Sequence, residues 1–359
     1  MTHPTNGDSG QSNFNQNGGL TLVPMPGFGG LADNIKRLIE SKPRFTKIDI
    51  ATPVISSRPS GEPFVILPKD HIGGHDCMIL TSGPGTREKL IDTMLVLGYL
   101  VGRKARRINL ISGYLPLSRS DKDEGTTELA LLPMIISWLV SASFGELRRI
   151  VSCNLHSPQS VMAGRPGFIT EISMVRRVLK RVLLDVRNLF PDKSVTLLLP
   201  DENAQKRFEL EITRVKRETG IEFSIICAQK RHTDTKTKIV GLSGDVDQIN
   251  DSVIISLDDE VSTLGTTVEA ISFIRQRYVF GKFLAAAVHG VLSGSATEIL
   301  DDINSPIDRL YLTDTIPLHN RPRIDPLIKN EKIIVVSWEN DLAEVIDHLH
   351  WDESIREIR

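Results

Sequence analysis

The sequence predicts an α/β fold in which mainly parallel sheets are flanked by helices, with one arrangement built twice along the chain. Three observations carry that reading. Short β-branched or apolar runs alternate with longer segments of helical period, which is the rhythm of a parallel sheet. The short runs are almost continuously apolar, as in strands covered on both faces. The rhythm also fills two stretches, Leu20–Cys153 and Val195–Val336, in a chain of 359 residues. That length suits about two domains of ~150 residues each.

In chain order, residues 1–19 are rich in Asn, Gln, Gly and Ser, cannot build a core and are expected to form a disordered tail. They lack the apolar stretch and basic start of a secretory signal. Apolar runs then place strands at Leu20–Pro24, Lys47–Ile50, Phe64–Leu67, Cys77–Leu80, Ile108–Ser112 and Ile150–Cys153. Helical periods separate them at Gly30–Glu40, Arg87–Gly102 and Thr126–Ser143. A helix over Glu171–Leu189 leads into the second set of strands: Val195–Leu199, Phe223–Cys227, Ser252–Leu257, Leu284–His289, Arg309–Leu312 and Ile333–Val336. Its helices are Ala204–Gly220, Leu264–Tyr278 and Leu342–His350. The expected division is a first domain over 20–170, a second over 171–330, and a strand and helix over 331–359 that pack back on the core.

Composition narrows the function. A net charge of −2 gives no general attraction to nucleic acid or an anionic membrane. The basic run Arg103–Arg107 is read as the solvated end of a helix. No apolar run approaches the ~20 residues of a membrane span. Cys77, Cys153 and Cys227 sit in or beside strand-like runs and read as small core hydrophobes, so a reducing cytoplasm is expected.

The strongest chemical signal is Asp258-Asp259-Glu260-Val261-Ser262-Thr263-Leu264-Gly265-Thr266-Thr267, directly after a buried strand. Backbone N–H groups from Ser262 to Thr266 can wrap a phosphate at a helix N-terminus, where the dipole favours an anion. The hydroxyls of Ser262, Thr263, Thr266 and Thr267 serve the same oxygens, and Gly265 lets the backbone approach closely. Asp258 and Asp259 can accept from the hydroxyls of a sugar. The first half carries a second polar loop, Ser118–Gly125, and both loops are expected at the carboxyl ends of strands, where open α/β sheets bind ligands. Gly83–Lys89 lacks the Gly-x-x-x-x-Gly-Lys-Ser/Thr spacing of a nucleotide phosphate loop and is set aside.

These motifs carry a family resemblance. The acid–acid–x–x–Ser–Thr–x–Gly–Thr loop resembles phosphoribosyltransferase-type proteins. Five further stretches, in order, resemble ribose-phosphate pyrophosphokinase: Tyr114–Lys122, Asn154–Gln159, Pro200-Asp201 with Lys206-Arg207, Val288–Gly294 and Thr313–Pro317. The resemblance runs from about Leu20 to the C-terminal helix. It implies two similar phosphoribosyltransferase-like domains, and transfer of pyrophosphate from ATP to the 1-hydroxyl of ribose 5-phosphate, giving phosphoribosyl pyrophosphate and AMP. Such a transfer rests on positioning and charge neutralisation.

Residue roles follow from the resemblance. Glu62, Arg119, Ser120, Asp121 and His156 are implied at the ATP. Asp201, Asp258, Asp259, Ser262, Thr263, Leu264, Gly265 and Thr266 are implied at the ribose phosphate. His156 and Asp201 would hold Mg²⁺, although His156 by itself reads as a strand-end structural histidine, since Mg²⁺ prefers oxygen. Arg119 and Lys230 are the implied catalytic cations. An alternative alignment slips the lysine position onto Ala228, but Lys230-Arg231 precedes a polar stretch, His232–Lys238, suited to a closing loop. A homo-oligomer, dimer or hexamer, is implied, with no nucleic acid or membrane partner.

The chain departs from the family pattern at four places. Ser120 replaces a Gln, Ser262 replaces an Asp, the Gly after Pro200-Asp201 is missing, and Arg58–Glu62 stands where Phe-Ser-Asp-Gly-Glu would recognise adenine. Two other expectations therefore stand beside the first. The acceptor is a larger ribosyl phosphate such as ADP-ribose, or the chain is a silent relative that regulates an active synthetase. A one-domain phosphoribosyltransferase would explain Asp258–Thr267 but not Arg119, His156 or the doubled architecture.

Overall fold

The computed structural model describes residues 17–69, 71–84, 86–123, 127–232, 237–356 and 358. The expected tail at 1–16 lies outside them, but Asn17 is already packed, its side chain donating to the His350 carbonyl at 2.8 Å.

The first half contains β1 (Leu20–Pro24), α1 (Gly29–Glu40), β2 (Ile48–Ile50), β3 (Val54–Ser57), β4 (Pro63–Ile66), β5 (Asp76–Thr81), α2 (Arg87–Gly102), β6 (Arg107–Ser112), α3 (Leu132–Ala142), β7 (Leu147–Cys153) and β8 (Ile169–Ile172). Six of the strands form one all-parallel sheet in the order β2-β1-β5-β6-β7-β8. The second half contains α4 (Val175–Leu189), β9 (Val195–Leu199), α5 (Glu202–Thr219), β10 (Ser224–His232), β11 (Thr237–Gly244), β12 (Val253–Val261), α6 (Gly265–Arg275), β13 (Phe283–Gly290), α7 (Ala296–Asp301), β14 (Arg309–Thr313), α8 (Asp325–Lys329), β15 (Ile333–Val336) and α9 (Glu339–His350). Its seven-stranded sheet runs β11-β10-β9-β12-β13-β14-β15, with only β11 antiparallel to its neighbour.

Both sheets are buried on both faces, as the continuous apolar runs require. Along β12, Val253, Ile255 and Leu257 join one core cluster, while Ile254 joins another on the opposite face. The first cluster continues through α4 and α9 into the first half, so the two halves share a core.

Several expectations are corrected. Phe64–Leu67 does not enter the main sheet; it forms β4, paired antiparallel with the unforeseen β3 in a separate hairpin. The helix expected from Thr126 begins only at Leu132, where Pro133 takes the first turn, a position proline suits because its missing N–H is unneeded there. The helix expected from Glu171 begins at Val175, because Ile169–Ile172 pairs with β7. The first sheet thus runs two residues past the expected boundary at 170. The strand at Phe223–Cys227 continues to His232 and pairs with β11, so Lys230 lies in a strand.

The two polar loops are not counterparts. The order β2-β1-β5-β6 matches β10-β9-β12-β13, so the first-half equivalent of Asp258–Thr267 is the segment after β5, starting at Thr81. Ser118 instead follows β6, the counterpart of β13. Of that loop, Glu124 and Gly125 lie outside the described residues, as does Gly85 after β5.

The C-terminal helix is locked to the first half by buried carboxylates. Asp76, 0% exposed, accepts both arms of Arg107 at 2.6 and 3.0 Å, Asn109 at 3.2 Å, and lies 3.0 Å from His350 Nδ1 on α9. Asp347 on the same helix takes Lys42 and Arg44, each at 3.0 Å. Removing one member of such a buried network leaves the others uncompensated. Asp76→Ala should therefore cost about 3–5 kcal/mol in denaturant unfolding, and a loss under about 1 kcal/mol, the range of a surface pair, would show that this lock does not hold the helix.

Candidate functional site

The chain path of the second half makes a crevice. From β9 it moves outward to β10 and β11, then returns to the other side of β9 as β12. At such a reversal the connections leave in opposite directions and open a space beyond the strand ends. Pairing of β12 with β9 stops at Ser256↔Leu198, while pairing with β13 continues to Val261↔Gly290. Asp258, Asp259 and Glu260 thus project into the gap that β9 leaves. The first half closes the other side, giving a cleft of ≈ 1410 Å³.

After β12 the backbone turns sharply. Leu264 adopts φ 64°, ψ 0° immediately before α6, a left-handed conformation that a bulky residue rarely takes. Asn154, which also lines the cleft, and the nearby Leu117 and Leu292 share this feature, with φ of 29°, 60° and 50°. Backbone strain of this kind concentrates at binding sites. The N-cap residue Leu264 offers no side-chain cap to α6, and Gly265 N makes only a long bond to Thr263 Oγ1 at 3.4 Å, so the helix end stays open to an anion. Ser262 is held from the next loop by the Ser293 hydroxyl at 2.7 Å.

The acids are not equivalent. Asp259 is buried, with Oδ1 3.3 Å from Arg207 Nη2 and Oδ2 3.4 Å from His156 Nδ1. Burial opposes its ionisation, but His156, the Asp258 carboxyl and Arg207 outweigh that and hold it well below the usual carboxylate range. Burial and the neighbouring Asp259 push Asp258 up. Arg207 also donates to the His156 carbonyl at 2.7 Å, tying the halves together. Asp201 is the N-cap of α5, accepting from Ala204 N at 2.8 Å, which leaves its second oxygen for a ligand.

Most of the expected residues converge. Arg119, Asp121, His156, Asp201, Lys230, Asp258, Asp259, Ser262, Thr263, Leu264, Gly265 and Thr266 all line the cleft. Ser120 does not: its hydroxyl accepts from Leu131 N at 3.0 Å and donates to the Leu129 carbonyl, turned back into its own loop. Glu62 does not either, for it sits exposed at the tip of the β3–β4 hairpin beside Ser60. Ala228 is buried in the second core cluster, so of the two alignments only Lys230 reaches the cleft. The rest of the expected closing loop, 233–236, lies outside the described residues.

Sequence reasoning missed Glu211, Ser173, Glu260 and His289, and gave Arg207 no role. The signal for Arg207 and Glu211 was present: they stand four apart on α5, beside its buried stripe of Phe208 and Ile212. Asp121 Oδ1, His156 Nδ1, Ser173 Oγ, Arg207 Nε and Glu211 Oε2 are buried around the cleft without hydrogen-bond partners among the described residues. Buried polar atoms are normally satisfied, so this concentration marks the wall of a polar ligand site.

Behind the cleft, His289 is 1% exposed. Its Nε2 lies 3.2 Å from the carbonyls of both Cys153 and Asn154, which can only accept, so Nε2 carries the proton. Nδ1 then accepts from Thr315 at 3.0 Å. The backbones approach so closely here that a Cβ on Gly113 would meet the Thr315 carbonyl at 2.0 Å.

Comparison with known proteins agrees with this architecture. Residues 221–358 match the family described as phosphoribosyl synthetase-associated domain. The ribose-phosphate pyrophosphokinase of Rhodopirellula baltica is 25% identical over 335 residues, covering 91% of this chain and 94% of that one. That of Thermotoga maritima is 24% identical over 276 residues, covering 77% and 80%. The chain resembles the ribose-phosphate pyrophosphokinases at low identity over most of its length. The fold is shared with the phosphoribosylpyrophosphate synthetase of Mycobacterium smegmatis, at a TM-score of 0.72 and 21% identity over 93% of this chain and 99% of that one. Among the described residues no helix is long and apolar enough to cross a membrane.

The state of His289 makes a prediction. Burial pushes its pKa from 6.5 down to about 4, against the opposing carbonyls and Asp259. The unfolded chain therefore takes up a proton first as pH falls, and the folded state loses stability between about pH 6.5 and 4. The loss should reach about 3 kcal/mol by pH 4, read by urea unfolding at a series of pH values. In His289→Gln that part of the slope should vanish; an unchanged slope would assign it elsewhere.

Proposed function

We propose that this protein transfers pyrophosphate from ATP to the 1-hydroxyl of ribose 5-phosphate, giving phosphoribosyl pyrophosphate and AMP. The observation that carries the reading is the convergence in one cleft of an uncapped helix N-terminus, two adjacent carboxylates and cations from both halves. The oxygen of the 1-hydroxyl bonds to the β-phosphorus as the bond from that phosphorus to the AMP oxygen breaks. The 5-phosphate rests on the N–H groups of 263–266, with the hydroxyls of Thr263 and Thr266. Asp258 and Asp259 orient the ring hydroxyls, and Ser262, in place of a carboxylate, shifts contacts from the ring towards the phosphate. Arg119 faces the ATP phosphates from the first half and Lys230 from the second, so charge moving between the substrates stays between fixed cations.

ATP would arrive with Mg²⁺, which neutralises phosphate charge. Among the described residues no three His, Cys, Asp or Glu side chains converge to cage a cation. Magnesium commonly keeps phosphate oxygens and waters as most of its ligands. His156, whose Nδ1 makes no hydrogen bond although Asp259 lies 3.4 Å away, and Asp201, with one carboxylate oxygen spare, are the residues that would hold it. Glu62 lies outside its own cleft, so a role at ATP requires a neighbouring copy of the chain, and the active species is expected to be at least a dimer.

Three variants test the site by AMP formation from Mg-ATP. Asp259→Ala should abolish turnover, while Thr266→Val should mainly raise the KM for the acceptor, a lost hydrogen bond to a charged group costing about 1.5–3 kcal/mol. Asp201→Asn keeps a capping oxygen on α5 but removes the charge, and should lower kcat by ~10²-fold or more. Wild-type rates in Asp201→Asn at saturating Mg²⁺ would remove Asp201 from the site. Ribose 5-phosphate and ADP-ribose should be assayed side by side. Turnover with ADP-ribose alone would replace the acceptor, and no AMP with either would point to a regulatory relative.

A further inference from the structure

Glu260 is a carboxylate that the proposed reaction does not use. It stands two residues past Asp258 on β12, so strand alternation puts both on the same face, opposite Asp259. Its side chain is only 11% exposed. One oxygen accepts from the Tyr114 hydroxyl at 3.0 Å, and the other lies 3.5 Å from Arg119 Nη1. Arg119 is 61% exposed at the side chain, and this is the one ion pair described for it. Tyr114, in contrast, is fixed on every side. Its N–H donates to Ser82 at 2.9 Å, its carbonyl accepts from Gly83 at 2.7 Å, and its ring meets His289 edge-on at 4.9 Å.

These contacts form a chain of support from a rigid part of the first half, through Tyr114 and Glu260, to a flexible cation. We propose that Glu260 is a positioning residue, holding one edge of the Arg119 guanidinium so that its other donors face the nucleotide phosphates. A guanidinium has donors on several edges in a planar fork, so one edge can be held while another binds phosphate. Without that hold, a long side chain in water must be ordered by each arriving nucleotide, and affinity falls accordingly. The inference rests on the reading of the cleft as an ATP site.

The test uses the full chain and Mg-ATP, with binding followed by calorimetry and turnover by AMP formation. Glu260→Gln keeps an oxygen for the Tyr114 hydroxyl but removes the charge that holds Arg119. It should weaken ATP binding and raise the KM for ATP about tenfold, with the KM for ribose 5-phosphate and the melting temperature unchanged. Tyr114→Phe should move the KM for ATP in the same direction by a smaller factor. In an Arg119→Ala background, Glu260→Gln should change the KM for ATP less than twofold, because the group it acts through is gone. A purely structural role would lower the melting temperature and leave the two substitutions independent, which overturns the proposal. Tighter ATP binding in Glu260→Gln also overturns it, since the carboxylate would then be competing with phosphate. If wild-type protein binds ATP and turns over while Glu260→Gln matches it, only this inference falls. If wild-type protein does neither, the reading of the cleft falls with it.

Discussion

The site depends on one buried carboxylate held from both halves of the chain. Asp259 sits at the end of β12 with Arg207 on one oxygen and His156 near the other. A lone buried carboxylate is costly, and the cost is offset only where partners supply opposite charge and hydrogen bonds. Arg207 comes from α5 in the second half and His156 from the turn after β7 in the first. While Asp259 stays buried, its charge is compensated from both sides only if the two sets of strand ends stay opposed. The His289 contacts to Cys153 and Asn154, and the close pass of Gly113 by Thr315, maintain that opposition with neutral groups. In the proposed reading, ligand chemistry and packing between the halves share the same few residues.

How much of this was legible in the sequence follows from how local each signal is. Asp258–Thr267 could be read because strand, acids, small polar residues and helix are contiguous, and their spacing carries the chemistry. The strands β1, β9 and β15 matched their apolar runs to the residue. Elements that failed were short or set by partners far away. Ile169–Ile172 is four residues whose pairing with β7 cannot be seen without the sheet. Thr237–Gly244 mixes polar, apolar and glycine positions without a strand-like run and becomes β11 along the edge that β10 offers. Glu260 meets Tyr114 and Arg119 across |i−j| of 146 and 141, so nothing in its neighbourhood marks it out. Glu62 and Ser120 were placed at ATP by resemblance at positions where the surrounding motif had changed, and the structure brings neither into the cleft of its own chain.

The matching strand orders give the deepest constraint. Both halves place a reversal between equivalent strands, β1 and β5 in the first, β9 and β12 in the second. A doubled fold therefore offers two crevices, yet only the second carries acids at the strand end. In the first, Thr81 and Ser82 stand where Asp258 and Asp259 stand in the second, and α2 begins behind a Thr86 cap that already satisfies Lys89 N at 3.3 Å. With its helix end capped and no carboxylate pair, this crevice lacks the features on which the proposed sugar phosphate site of the second one rests. Ser82 and Gly83 bind the two backbone polar groups of Tyr114. Tyr114 is thereby held rigid enough to present its hydroxyl to Glu260 in the other half. The segment after β5 thus supports Tyr114, which reaches Glu260 in the other half, and this asymmetry between the halves would let residues of the first half act on a ligand held by the second.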